Sequence, residues 1–265
     1  MNRDKLRVSG ERGIRMGGWS QGVVLEGKKW LKNPLYLFFL VLPLFIMVLF
    51  AVVWPLAERL VASRWGFDLQ PYRSWLGLAM LYMIPQLLGM PLGFRLLEEK
   101  DQGTLGVFLV LPRGAGWYVG MLLLGLAGLS VLFVLGLMPL ILAPHLRGWS
   151  WGVHGLAAGM AGLETCIFAM CISALARDKV EGMTVGKGLS LVTMLPLLVF
   201  LVPGRFSGID VVWLAGLTPW FWPAALLLLD LPGPEWIWWV TGFGVHGIWL
   251  GGLLRRELNR IGRGL

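Results

Sequence analysis

Long uncharged runs separated by short clusters of charge set the pattern of this 265-residue chain. To cross a hydrocarbon core of about 30 Å, a helix needs roughly twenty apolar residues, because each residue rises about 1.5 Å and every backbone group must be satisfied internally. Six stretches meet that measure: Leu35 to Leu56, Trp75 to Leu97, Trp117 to Ala143, Trp151 to Ala176, Met183 to Val202 and Trp236 to Leu254. A seventh, Val211 to Leu229, is also uncharged, but it carries Pro219 and Pro223 near its middle around the run Trp220, Phe221, Trp222. Pro85 and Pro91 should bend the second span, since each removes a helical N–H and crowds the preceding turn.

The charges between the runs decide how many of them cross. Lys and Arg in short loops gather on the cytoplasmic side, and eight precede Leu35 while four follow Leu254. Both termini are therefore expected inside, which requires an even number of crossings. Val211 to Leu229 then reads as a segment that dips into the outer face or lies along it. With six crossings, 18 of the 23 basic residues fall on the inner side. The expected fold is thus all-α and polytopic, with six transmembrane helices and an outer re-entrant or interfacial segment between spans five and six. Residues 1–34 form a cytoplasmic segment, 35–254 the transmembrane domain and 255–265 a basic cytoplasmic tail. The stretch "WSQGVVLEGKKWLKNP" suggests an amphipathic helix at the inner surface before Pro34 turns the chain into the membrane. No cleavable signal peptide is expected at the N-terminus. The protein is placed in the cell membrane.

Composition agrees and narrows the chemistry. A chain 57% hydrophobic and 14% charged, with 37 Gly and 15 Trp, has too much apolar surface for a soluble globule of this length. Topology accounts for the net charge of +8, so no nucleic-acid partner is needed. The two cysteines, Cys166 and Cys171, sit within the fourth span and read as small packing residues. Glycines at Gly120, Gly125 and Gly128 and at Gly155, Gly159 and Gly162 could line faces where helices approach closely.

Enzymatic readings fail on residue placement. "EGMTVGKGLS" contains a Gly186–Lys187 pair, but a phosphate-binding loop needs Gly where Glu181 stands and Ser or Thr where Gly188 stands. The chain is therefore not expected to bind ATP or any other cofactor itself. A hydrolytic metal needs several His or carboxylate ligands converging on one ion, whereas His145, His154 and His246 lie in different segments. Glu164 is the acidic residue well inside a span, and a carboxylate there is costly enough to be a functional hypothesis by default. It keeps open an alternative, a proton-coupled secondary transporter.

The stretch "EEKDQGTLGVFLVLPRG" puts four charges in one run and follows them with apolar residues too few to cross. Such a segment in an inner loop reads as a docking element lying against the membrane. "EEKDQGTLGVFLVLPRGAGWYVG" resembles the motif of ABC-2 type permeases, the membrane subunits of ATP-binding cassette exporters, at Glu98, Glu99, Gly103, Thr104, Leu105 and Pro112. "EGMTVGKG", "MLPLLVFLVPG" and "GLTPWFWPAALLL" are similar, in that order, to the fluoroquinolone-export-type permease subfamily at Glu181, Gly182, Lys187, Gly188, Pro196, Pro219, Trp222 and Pro223. Arg113 and Gly114 depart from the pattern, in which hydrophobic or small polar residues are commoner after the Pro. The resemblance implies a half-transporter that pairs with a second permease subunit, identical or paralogous. It also implies a separate ATPase subunit, which binds the ATP and Mg and docks on the Glu98 to Pro112 loop, with Glu181 and Lys187 as a second contact. An amphipathic or lipid-like compound, such as a drug, is the implied cargo, exported through the dimer.

Overall fold

A computed structural model describes residues 27–103, 114–142, 151–198, 214–228 and 233–262. All regular structure among them is helical. Residues 27–32 form a short helical stretch that ends at Asn33, whose Oδ1 accepts a hydrogen bond from Leu35 N at 3.0 Å. That cap, with Pro34 in the first turn where its missing N–H costs nothing, starts α1, Pro34–Trp65. The described part of the predicted interfacial helix is two-faced: Trp30 is buried while Lys28, Lys29, Leu31 and Lys32 are exposed.

Two features of α1 differ from the expectation. The helix runs nine residues past Leu56, so the connection to the next helix is only the short stretch from Gly66 to Leu69. Gly66 closes the helix in the left-handed conformation (φ 62°), donating its N–H to Ala62 O at 3.1 Å. In addition, Leu49–Val53 is wound as a π-helix. Pro55 follows at once, and the wider turn relieves the clash between its ring and the carbonyl one turn back.

Next come α2 (Gln70–Asp101), α3 (Gly114–Leu142) and α4 (Trp151–Leu175). Helix α4 is the centre of the bundle, buried from Ala157 through Ala174 on nearly all sides. Its composition of Ala, Gly, Met, Cys and Ser, apolar all round, is what a helix enclosed by others requires. Cys166 and Cys171 are buried free thiols, and Cys166 Sγ lies 3.5 Å from Leu123 O across the α3 contact.

The closest helix approaches use glycines, only some of them those expected from sequence. At Gly89 and Gly93 of α2, an added Cβ would stand 2.8 Å from Thr165 O and 2.8 Å from Ile172 Cβ of α4. At Gly162 it would meet Ala127 O and Val131 Cγ2 of α3 at 2.9 Å each. By contrast, Gly120, Gly125, Gly128 and Gly155 face open space. The spacing Gly89-x-x-x-Gly93 brings two backbones together, while the glycines that face open space thin the surface of their helices.

Helix α5 (Lys179–Met194) continues through a 3₁₀ turn, Leu195–Leu197. A second 3₁₀ turn, Pro219–Phe221, leads into α6, Trp222–Leu228, and α7 spans Glu235–Gly262. Among the described residues, five helices are long and apolar enough to cross a membrane: α1, α2, α3, α4 and α7. Helix α5 is not among them. It carries Lys179, Glu181 and Lys187 in its first nine residues, and the predicted fifth span continues beyond Leu198 into residues outside the described set. The seventh run is broken by its prolines into a ten-residue helical segment, Pro219–Leu228, rather than one long helix. That segment is buried in the bundle, and Tyr82 of α2 pins it. The Tyr82 hydroxyl donates to Trp220 O and accepts from Ala224 N at 3.2 Å.

Candidate functional site

The charged run at the end of α2 does not form a solvated fringe. At about 3.6 residues per turn, Glu98, Glu99 and Lys100 point in different directions around the helix end, and each reaches a different neighbouring helix. Glu98 accepts from the Tyr36 hydroxyl of α1 at 2.7 Å and pairs with Lys179 at the start of α5. Glu99, buried, pairs with Arg95 one turn back and accepts from the Tyr118 hydroxyl of α3 at 3.2 Å. Lys100 reaches Glu257 of α7 at 2.8 Å and donates to Ser173 O of α4 at 2.6 Å. Arg260, one turn further along α7, donates to Ala174 O at 3.1 Å. Six helices are thereby joined at one end of the bundle, with the last turn of α2 as the hub.

The chemistry suits a rigid joint. Charge-assisted hydrogen bonds at the rim of a low-dielectric bundle are stronger than exposed ones, and they hold direction as well as distance. The last carbonyls of α4, left over by its own helix, are taken up by Lys100 and Arg260, which also places positive charge at its C-terminus. Helix α2 ends immediately after the hub. Gln102 and Gly103 donate to Glu98 O and Lys100 O at 3.0 and 2.9 Å, and Gly103 adopts φ 67°, a left-handed turn that a side chain would oppose.

The other residues singled out from sequence fall in three groups. Thr104, Leu105 and Pro112 lie outside the described residues. Glu181 is exposed and acts locally: Asp178 Oδ1 caps α5 by accepting from Glu181 N at 2.8 Å, and Glu181 Oε2 accepts from Arg177 N at 2.8 Å. This reciprocal arrangement starts α5 beside the hub. Lys187 is exposed further along α5, while its neighbours Gly182 and Gly186 pack against Leu97 and Met90 of α2. Pro219, Trp222 and Pro223 are all in the buried segment beneath Tyr82, with Trp222 Nε1 donating to Gly216 O at 2.8 Å.

Glu164 has a neighbour that sequence reading missed. His246 Nε2 of α7 stands 3.9 Å from Glu164 Oε1, and both side chains are buried. His246 Nδ1 lies 2.7 Å from Gly242 O, a group that can only accept, so Nδ1 carries a proton. Depth along the helices would have found the pair. Trp151 and Glu235 begin α4 and α7, and Glu164 and His246 lie about 20 Å and 17 Å further along at 1.5 Å per residue.

Residues 26–254 match the model of a family described as Fluoroquinolones export permease protein Rv2686c-like. Two curated relatives from Mycobacterium tuberculosis are similar to the chain: the fluoroquinolones export permease protein Rv2686c of strain H37Rv and the fluoroquinolones export permease protein MT2760 of strain CDC 1551 / Oshkosh. Each is 25% identical over 222 residues, covering 82% of this chain and 84% of the relative.

Proposed function

Since the chain belongs to the Rv2686c-like family of fluoroquinolones export permeases, we propose that it is the membrane-spanning half of an ATP-driven exporter of amphipathic drugs. The hub at the end of α2 carries this reading. A separate ATPase chain, which binds the ATP and Mg, docks on the segment that follows Gly103, including Thr104, Leu105 and Pro112. Glu98 and Glu99 act as positioning residues there. They fix the last turn of α2, which leads into that segment, to α1, α3 and α5, so that displacement of the loop moves several helices together rather than bending one. Glu181 and Lys187, both exposed on α5, provide a second contact. A partner can drive the change only by binding the two permease states with different affinity, and a stiff joint is what turns that difference into helix movement.

The remaining topology follows from length. Helix α5, continued through Leu195–Leu197, is taken as the sixth crossing, which returns both termini to the cytoplasmic side. The Pro219–Leu228 segment rises about 15 Å, half of the hydrocarbon core, and is taken as the outer re-entrant element. A second copy or a paralogous subunit completes the translocation path.

Co-expression with the neighbouring reading frames tests the proposal. An ATPase should co-purify with the wild type in mild detergent, and everted vesicles should accumulate a fluoroquinolone on addition of ATP. Glu98→Gln should weaken both while leaving the chain monodisperse. Recovery of no ATPase, with uptake that follows an imposed pH gradient instead, would overturn it. The Glu164–His246 pair supports that second reading, a proton-coupled carrier, because a buried carboxylate facing an imidazole nitrogen can hold one proton between them.

A further inference from the structure

A cleft of about 330 Å³ opens between the chain's first described helical turns and α3. Its walls are nearly all apolar: Trp30 and Leu31, then Leu37 and Leu40 of α1, face Met121 and Leu129 of α3. Gly125 forms part of the α3 wall, with nothing within 4 Å of the position its Cβ would take. From Met121 to Leu129 the cleft follows α3 for about 12 Å, close to the depth of one leaflet of a 30 Å core. It starts at the end of the bundle that carries the hub, and Tyr36, whose hydroxyl bonds Glu98, is one of its walls. The short helix that supplies Trp30 and Leu31 also exposes Lys28, Lys29 and Lys32.

From this combination we infer that the cleft is a binding site for one anionic phospholipid of the adjoining leaflet. The acyl chain lies along Gly125 and the phosphate headgroup meets the lysines. An apolar slot of leaflet depth fits a hydrocarbon chain, and positive charge beside its headgroup end selects for negative lipid. Because Tyr36 spans the cleft wall and the hub, the bound lipid also bears on the joint that connects α1 to α2 and α5. The site requires only that the chain be embedded in a bilayer, and is independent of what drives transport.

Native mass spectrometry of the purified full-length chain, with phosphatidylglycerol or phosphatidylcholine added to the micelles, tests the site. Each lysine near an anionic headgroup is worth roughly fivefold in affinity, so Lys28 and Lys32 together should favour phosphatidylglycerol by about 25-fold. Lys28→Gln with Lys32→Gln should erase most of that preference without weakening phosphatidylcholine. Gly125→Leu, which has room for its side chain, should fill the slot and reduce retention of both lipids. Equal retention of the two lipids by the wild type, or unchanged retention in Gly125→Leu, would overturn the site. So would displacement of the lipid by an equimolar fluoroquinolone, which would give the cleft to the exported compound. Should Gly125→Leu fail to fold, shown by loss of protection at Cys166 and Cys171, the exposed lysine variant decides alone.

Discussion

Removing Glu257 tests whether the hub is a joint or a decoration. Its carboxylate pairs with Lys100 Nζ at 2.8 Å, with side-chain exposures of 5% for Glu257 and 14% for Lys100. In Glu257→Ala, Lys100 keeps one neutral acceptor, Ser173 O at 2.6 Å, but loses its counter-charge in a nearly dry site. Stranding one member of a buried pair costs about 3–5 kcal/mol; the remaining carbonyl and slight exposure reduce this to about 2–4 kcal/mol. Replacing both partners, Lys100→Met with Glu257→Leu, removes charge and counter-charge together and should cost only about 1 kcal/mol. The chain carries its own reporters, since Cys166 and Cys171 are free and buried. Their modification by a maleimide along an SDS titration in mild detergent reads the folded fraction. The double variant should be more stable than Glu257→Ala by about 1–3 kcal/mol. If Glu257→Ala costs less than about 0.5 kcal/mol, or if the double variant is no more stable than Glu257→Ala, the pair contributes no joint and the reasoning fails.

The same thiol assay separates the glycines: Gly93→Val should destabilise by several kcal/mol, because its Cβ would meet Ile172 Cβ at 2.8 Å, whereas Gly120→Ala should be neutral or stabilising by up to about 1 kcal/mol. Tyr82→Phe removes the hydroxyl shared by Trp220 O and Ala224 N and should cost about 1–3 kcal/mol, with proteolysis of the 214–228 segment rising before global unfolding. Glu164→Gln keeps a donor for His246 but not an exchangeable charge. ATP-driven efflux should therefore stay within about twofold of wild type, whereas a proton-coupled carrier would lose its response to a pH gradient.

Glycine use shows where sequence reading reached its limit. The glycines of α3 stand out along the chain, yet Gly120, Gly125 and Gly128 face open space, and the closest seam is made by Gly89 and Gly93 on either side of Pro91. Spacing alone says that a helix has a thin face. Only the arrangement of neighbours says whether a backbone or a void lies against it. The charged run behaved similarly: its position at the end of the second span was legible, but its direction was not. Glu98 and Glu99 turn inward to Tyr36, Lys179, Arg95 and Tyr118, partners up to 81 residues away in sequence.

Sequence by itself determined that this chain lies in a membrane as a helical bundle. It also marked the five runs that α1, α2, α3, α4 and α7 form as long and apolar enough to cross, because hydrocarbon penalises every unpaired backbone group and every charge whatever the tertiary arrangement. Tertiary structure alone decided that α4 is the centre, that Glu164 meets His246, and that the last turn of α2 joins six helices. Those facts depend on which helix faces which. In a medium as apolar as the helices themselves, that choice is set by close packing and a few polar contacts, and a one-dimensional hydrophobic pattern does not record them.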